Sequence, residues 1–423
     1  MARDTAILPF MAPSPPPFRL PGLHFLGGIV WLALGGAGLV AVAPLLAAGQ
    51  FLAPRVIAVT HLFTLGVITG SIFGALYQFY PMSLGAAPRS VRAGVGGGWL
   101  LQAGTALLVG GLWWWMPWLQ ALAWGVLFVV IGIVAWNLLP HRRRMERGPA
   151  RTTASYVSGA HILFGLAFFL AGARIGNSLG WWTLDRLGLI AAHFHLAAFG
   201  FAGLTAVGVG SRMLPMFMVA ARAPNWPVRY IGPAGMAGLA LLSTGLVFAL
   251  QPVVWIGAIA SLAAGVLFLR LVAGYFQFRM IRRLEPAFGH VLVGFIALAG
   301  AVVTGFILLA TPGFDPRGAI VYAGLTLLGW LVLFISGIWY RLLAFLIWLH
   351  FYGRDGATRV RTAAEIVHRP TAWATLALLA TGIATLLGGI AIGDASVARA
   401  GAGIFLAGAL LLLGHYTVIF ARR

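Results

Sequence analysis

The residues with the clearest capacity for chemistry are His193 and His195, in the stretch 185–220, DRLGLIAAHFHLAAFGFAGLTAVGVGSRMLPMFMVA. That stretch is apolar enough to cross a bilayer. An ionisable side chain in such a span marks a function, because hydrocarbon penalises it and packing does not require it. Neutral imidazole is a common metal ligand and a proton acceptor. On a helix, residues two apart point about 200° away from each other. His193 and His195 therefore face opposite sides, and one helix could serve two sites. A third histidine, His61, opens a comparable apolar run, HLFTLGVITGSIFGALYQFYPM (61–82).

The elements that must position these groups are membrane helices. The chain has 423 residues, 61% of them hydrophobic and only 9% charged, which predicts an all-α polytopic membrane protein. Apolar runs of about 20 residues, the length that crosses a bilayer, fall near 25–48, 55–79, 95–115, 118–139, 157–176 and 188–211. Six more fall near 229–250, 253–276, 288–310, 318–345, 371–392 and 398–420. The net charge of +20 is borne by arginine alone, since no lysine occurs. These arginines lie in short loops between apolar runs, a topology pattern rather than a nucleic-acid surface. One set of loops holds Arg89, Arg92, HRRRMERGPAR (141–151), Arg222, Arg229, FRMIRR (278–283), Arg354, Arg359, Arg361 and Arg369. The opposite set holds only Arg55, Arg174, Arg186, Arg317 and Arg399. The positive-inside rule then predicts both termini in the cytoplasm, with a Pro-rich amino-terminal segment over 1–22 and one membrane domain over 23–423. No cysteine occurs, which excludes disulfides, thiolate metal sites and iron–sulfur clusters.

The chain also repeats itself. HLFTLGVITGSIFGALYQFYPM at 61 aligns without gaps with HLAAFGFAGLTAVGVGSRMLPM at 195, and GLTLLGWLVLFISGIWYRLLAF at 324 is a third copy with glycine in place of the histidine. The preceding spans agree: GLHFLGGIVWLALGGAG, GAHILFGLAFFLAGARIG and FGHVLVGFIALAGAVVTG start at 22, 159 and 288. Three repeats of four spans, about 23–140, 155–277 and 286–420, account for the membrane domain. Transporters built from two halves of six spans follow another pattern.

At about 1.5 Å per residue, His61 lies roughly 9 Å, and His193 and His195 roughly 10–14 Å, inside their helix starts. The three are at comparable depth near the outer face. Neighbouring spans could present His61 and one partner to opposite faces of a haem, with small residues such as Gly66, Gly70, Gly200 and Gly203 leaving room for a flat macrocycle.

AHFHLAAFGFAGLTAVGVGSRMLPMF resembles the tenth span of haem–copper oxidase catalytic subunits, where His-x-His serves two haems, and VTHLFTLGVITGSIFGALYQFYPMSLG resembles that family's second span. The chain as a whole also resembles the twelve-span NnrS proteins associated with haem, copper and nitric-oxide stress. The resemblance implies a b-type haem with His61 and His195 as its low-spin ligands, and His193 facing a second pocket. It also implies work in electron transfer or in binding NO or O2, with a protein or quinol as electron donor. The departures are specific. Here His-x-His lies in the sixth span, spans seven and eight lack the histidines of the family's copper site, and no acidic residue lies deep in a span. Copper is therefore unsupported, and no complete dinuclear centre is expected from this chain. A permease for a small molecule or metal, its histidines lining the pathway, is the alternative. A non-catalytic relative retained as a partner subunit is a further one.

Other residues bear on the site. Arg55, Arg186 and Arg399 are the outer-side cations for haem propionates, with Trp181 or Trp182 beside them. His24, His161 and His290 recur at the cytoplasmic starts of spans one, five and nine, joined on that side by His350 and His415; interfacial histidines are ordinary, and a metal site there is the minority reading. Met213, Met216 and Met218 could bind Cu(I), but a lipid- or core-facing methionine stripe is the expectation. Arg212 and Arg341 occupy matching repeat positions, where a lipid phosphate or a helix carboxyl end would pair with them.

Overall fold

The computed structural model describes residues 15–138, 149–281, 283–352 and 362–421. The arginine-rich loop at 141–151 lies almost wholly outside them, as do Arg354, Arg359 and Arg361. Twelve helices are long and apolar enough to cross a membrane: α1 Arg19–Ala47, α2 Pro54–Leu84, α3 Val91–Trp113, α4 Pro117–Leu138, α5 Arg151–Ser178 and α6 Arg186–Met218. They continue as α7 Val228–Val247, α8 Gln251–Gln277, α9 Pro286–Ala310, α10 Pro316–Tyr352, α11 Arg369–Ile392 and α12 Ala395–Ala421. There is no strand among the described residues, and the protein is an all-α multi-pass membrane protein.

The ends of these helices follow from local chemistry. Pro54 opens α2, where its missing N–H costs no bond. Asp185 caps α6 by accepting from the Leu187 and Gly188 amides at 3.3 and 2.7 Å, and Asp315 caps α10 by accepting from the Arg317 amide at 3.0 Å. At the far end α2 stops at Gly85, whose φ of +63° is the left-handed conformation that glycine adopts freely.

Each repeat is built alike. The first helix packs on the second, and the third packs on the fourth as an outer pair: α3 on α4, α7 on α8, α11 on α12. The second helices, α2, α6 and α10, are the longest of their repeats at 31, 33 and 37 residues. They meet one another at the centre. The contrast in enclosure is large: 72% of the core window of α2 is buried, against 22% for α8 on the outside. We call the end at which α2, α6 and α10 begin the His face, and the opposite end the Arg face.

The repeat carries a backbone feature that composition does not announce. Each second helix widens into a π-helical stretch of eight residues: 62–69, 196–203 and 325–332. All three begin one residue after the aligned positions 61, 195 and 324. In the first, the Thr69 hydroxyl donates to the Thr64 carbonyl five residues back, at 2.8 Å. π-helical turns are rare and concentrate at functional positions. Two of the three start directly after His61 and His195, which ties the feature to these histidines.

Candidate functional site

The site is built from the first turns of α2, α6 and α10. His61 and His195 occupy the same repeat position and adopt the same local geometry. Nδ1 of each donates to the carbonyl four residues earlier, Ile57 and Ala191, both at 2.8 Å. His193 reaches across to α5 instead, and its Nδ1 donates to the Ala167 carbonyl at 2.8 Å. A carbonyl only accepts, so in all three rings the proton is on Nδ1 and the lone pair is on Nε2. Metal-ligating histidines are commonly oriented in this way by a backbone carbonyl.

The pairing differs from the one the sequence suggested. His61 stands beside His193, not His195: their ring centroids are 6.3 Å apart with 31° between planes. His195 turns to α10, where its ring lies 5.8 Å from Tyr322 at 32°. The Tyr322 hydroxyl donates to His195 Nε2 at 3.2 Å. The reason lies in the repeat. Aligned positions are related by the pseudo-threefold arrangement, so each faces the next repeat along, and two aligned residues cannot face each other. Two residues before the aligned stretches stand Val59, His193 and Tyr322, and the last two supply the partners. His61 meets His193, and His195 meets Tyr322. At the third copy Gly324 presents no side chain, and Leu387 of α11 occupies the space a β-carbon there would need. Sequence reasoning does not reach Tyr322; extending the alignment two residues upstream, to Val59, His193 and Tyr322, carries the signal.

These groups line one cavity of about 670 Å³ that spans both interfaces. Its first half, around His61 and His193, is walled by residues of α3, α4 and α5, among them Leu108, Trp124 and Phe168. Its second half, around His195 and Tyr322, is walled by α8 and α9, among them Leu262, Phe268 and Val302. The arginines expected on the outer side are placed differently from expectation. Arg55 lies over the Trp113 ring at 5.4 Å, and Arg186 donates to the Leu52 carbonyl at 3.0 Å; neither lines the cavity. Arg399 is exposed away from it. Arg174, on α5, is the arginine that does line it, with its guanidinium 6.0 Å from the Trp115 ring. Trp181 and Trp182 are exposed and pack against each other.

The two bare Nε2 atoms of His61 and His193 have no protein partner among the described residues, and both rings line the cavity. A metal about 2 Å from each of two opposed imidazole nitrogens places the ring centroids about 6 Å apart, which is the spacing seen here. No three His, Cys, Asp or Glu side chains converge on one point among the described residues. A porphyrin is one group that would supply the remaining ligands of a metal held between His61 and His193.

The remaining histidines form no group of three metal-ligating side chains among the described residues, although His290 and His415 both pack on the Tyr340 ring. His24, His161, His290 and His415 are buried within the bundle rather than placed at its interface. His24 stacks on Tyr77 at 5.7 Å, His161 on Phe73 at 6.4 Å, and His290 bonds Ser336 Oγ at 2.7 Å. Met213 and Met218 are buried while Met216 is exposed, so the three diverge. Arg212 donates to the Ser83 carbonyl at the end of α2 at 3.4 Å, and Arg341 pairs with Glu285 at 3.1 Å. No protein-family model matches the chain, and no curated protein matches it significantly.

Proposed function

We propose that the protein is a membrane electron-transfer protein in which His61 on α2 and His193 on α6 would hold one haem between them. The observation that carries this reading is the paired geometry: two imidazoles fixed through Nδ1, with Nε2 unpartnered on a shared cavity, at bis-imidazole spacing. The chain has no cysteine for thioether attachment, so the haem is held non-covalently, as b-type haem is. When bound, it supplies a one-electron ferric/ferrous couple, its potential set by the two imidazoles and by burial.

The chain's own residues do the rest. The carbonyls of Ile57 and Ala167 fix each ring and its tautomer, leaving the lone pair on Nε2. The apolar walls from α3, α4 and α5 exclude water. Arg174 offers a cation to an acidic substituent of the macrocycle. With an imidazole from each of two helices to hold it, the group would supply electron transfer in preference to NO or O2 binding. This reading keeps the likeness to haem–copper oxidases and NnrS proteins while exchanging one ligand, His195 for His193. We further propose a cell-membrane location with both termini cytoplasmic and the His face outward. Reporter fusions in the 141–151 loop test that orientation; an external readout there overturns it.

The functional test is a pyridine haemochrome and reduced-minus-oxidised spectrum of the purified protein. A low-spin signal lost in His61→Ala and in His193→Ala, and kept in His195→Ala, supports the ligand pair. A protein devoid of haem after expression with haem supplied sinks the reading in favour of a permease. Loss in His195→Ala with retention in His193→Ala restores the pairing first expected from the sequence.

A further inference from the structure

Far from the cavity, one arginine stands inside a span without an acidic partner. Arg270 is on α8, about 10 Å by helical rise before that helix ends at Gln277 on the Arg face. Arg270 is exposed, and so is Val266 one turn earlier, so both lie on the lipid-facing side of the least enclosed of the twelve spans. The Arg270 guanidinium lies 5.7 Å from the centre of the Trp226 ring, on the segment between α6 and α7. Trp226 meets the Tyr230 ring edge-on at 6.0 Å, and the Arg229 guanidinium lies 4.6 Å from the centre of Tyr230. The four side chains form one ladder of cation, ring, ring and cation, with both rings about half exposed. The ladder is anchored to α8. Asn225, next to Trp226, accepts a hydrogen bond from the Tyr275 hydroxyl at 2.7 Å.

Neither guanidinium is neutralised by protein among the described residues. There Glu285 pairs with Arg341, Glu365 accepts from Thr362, and Asp185, Asp315 and Asp394 cap helices at the His face. A cation at the edge of the hydrocarbon calls for an anion, and the planar fork of arginine matches phosphate oxygens. Tryptophan and tyrosine rings settle at headgroup depth. We propose that this ladder is the headgroup site of a diphosphatidyl lipid of the cardiolipin class, one phosphodiester on Arg270 and the other on Arg229. Two cations joined through a ring pair call for two anions on one molecule, with the rings carrying the glycerol that links them. Val266 and Ile259, exposed on the same side of α8, continue the contact along an acyl chain toward the His face. The site is independent of the haem reading, whose imidazoles lie at the other end of the bundle.

The full-length chain, purified in detergent and delipidated, is titrated with tetraoleoyl cardiolipin, and bound lipid is counted by native mass spectrometry. Parallel titrations use phosphatidylglycerol, which has a single phosphodiester, and zwitterionic phosphatidylcholine, with inorganic phosphate in large excess as a competitor. Wild type is compared with Arg270→Gln, Arg229→Gln and Arg92→Gln, the last an exposed arginine of the same face on α3. Each variant is checked for a monodisperse elution profile. Loss of one charge-assisted bond corresponds to about a tenfold change in affinity. The expected result is saturable cardiolipin binding, weakened about tenfold in Arg270→Gln and in Arg229→Gln and unchanged in Arg92→Gln. Phosphatidylglycerol should bind about tenfold more weakly than cardiolipin, and phosphatidylcholine should not compete. Equal weakening in all three variants overturns the site, because the whole basic face would then be responsible. Displacement by inorganic phosphate overturns it in favour of a free-anion site. Cardiolipin binding indifferent to both ladder substitutions, or matched by phosphatidylglycerol or phosphatidylcholine, overturns it outright.

Discussion

The two interfaces of α6 share a plan and differ in one partner. On the α2 side an imidazole meets an imidazole at 6.3 Å, and on the α10 side an imidazole meets a phenol at 5.8 Å. The inter-ring angles, 31° and 32°, are nearly the same. The backbone therefore sets the relation and the side chain sets the chemistry. Two imidazoles leave two lone pairs facing one space, which a metal can bridge. A phenol hydroxyl fills the lone pair of its partner and closes the interface to metal in this conformation. The third interface carries the lesson further: with Gly324 at the equivalent position, Leu387 fills the gap and leaves nothing polar to present. A threefold scaffold has been differentiated into an imidazole pair, a hydrogen-bonded pair and a packed contact.

The comparison can be broken most forcefully at the first interface. His193→Ala should lower haem occupancy by more than about tenfold, since disturbing even an outer-shell partner of a metal ligand costs 10–100-fold in affinity. His195→Ala should leave the occupancy of that haem unchanged. Equal losses in the two variants would erase the distinction between the interfaces. Tyr322→His sharpens it, because it converts the second pair into a copy of the first. The expected outcome is a rise in haem-to-protein stoichiometry above one, read by haemochrome against protein mass; an unchanged stoichiometry would mean that ring geometry alone is insufficient.

A smaller effect is expected at Arg174. Arg174→Ala should weaken haem retention about five- to tenfold, consistent with loss of one charge-assisted bond. Arg55→Ala and Arg186→Ala, whose guanidiniums lie against Trp113 and the Leu52 carbonyl, should leave retention as it is. Competition with apomyoglobin for haem measures all three. The smallest spectral effect belongs to the third interface. Gly324→Ala must displace the flexible end of Leu387 and should cost about 1–3 kcal/mol of stability by overpacking, without altering the haem spectrum. A spectral change there would show that the packed contact communicates with the ligand pair.

Much of this was legible in the chain itself. Composition and the lengths of the apolar runs indicate twelve spans, and the copies at 61, 195 and 324 indicate three repeats, because apolar length and self-similarity are local properties. The depth of the three histidines followed from helical rise alone, and the opposed facing of His193 and His195 followed from helical periodicity. Which neighbour stood on each side did not follow. Periodicity fixes a side chain's direction about its own helix axis, whereas its partner depends on the circular order in which the repeats close around the centre. That order puts α6 between α2 and α10, gives His193 to His61 and His195 to Tyr322, and takes Arg55 and Arg186 off the cavity while placing Arg174 on it. The π-helical stretches beneath the site are likewise a tertiary result, since nothing in the apolar runs at 62–69, 196–203 and 325–332 distinguishes a wide turn from an ordinary one until neighbouring helices pack against it.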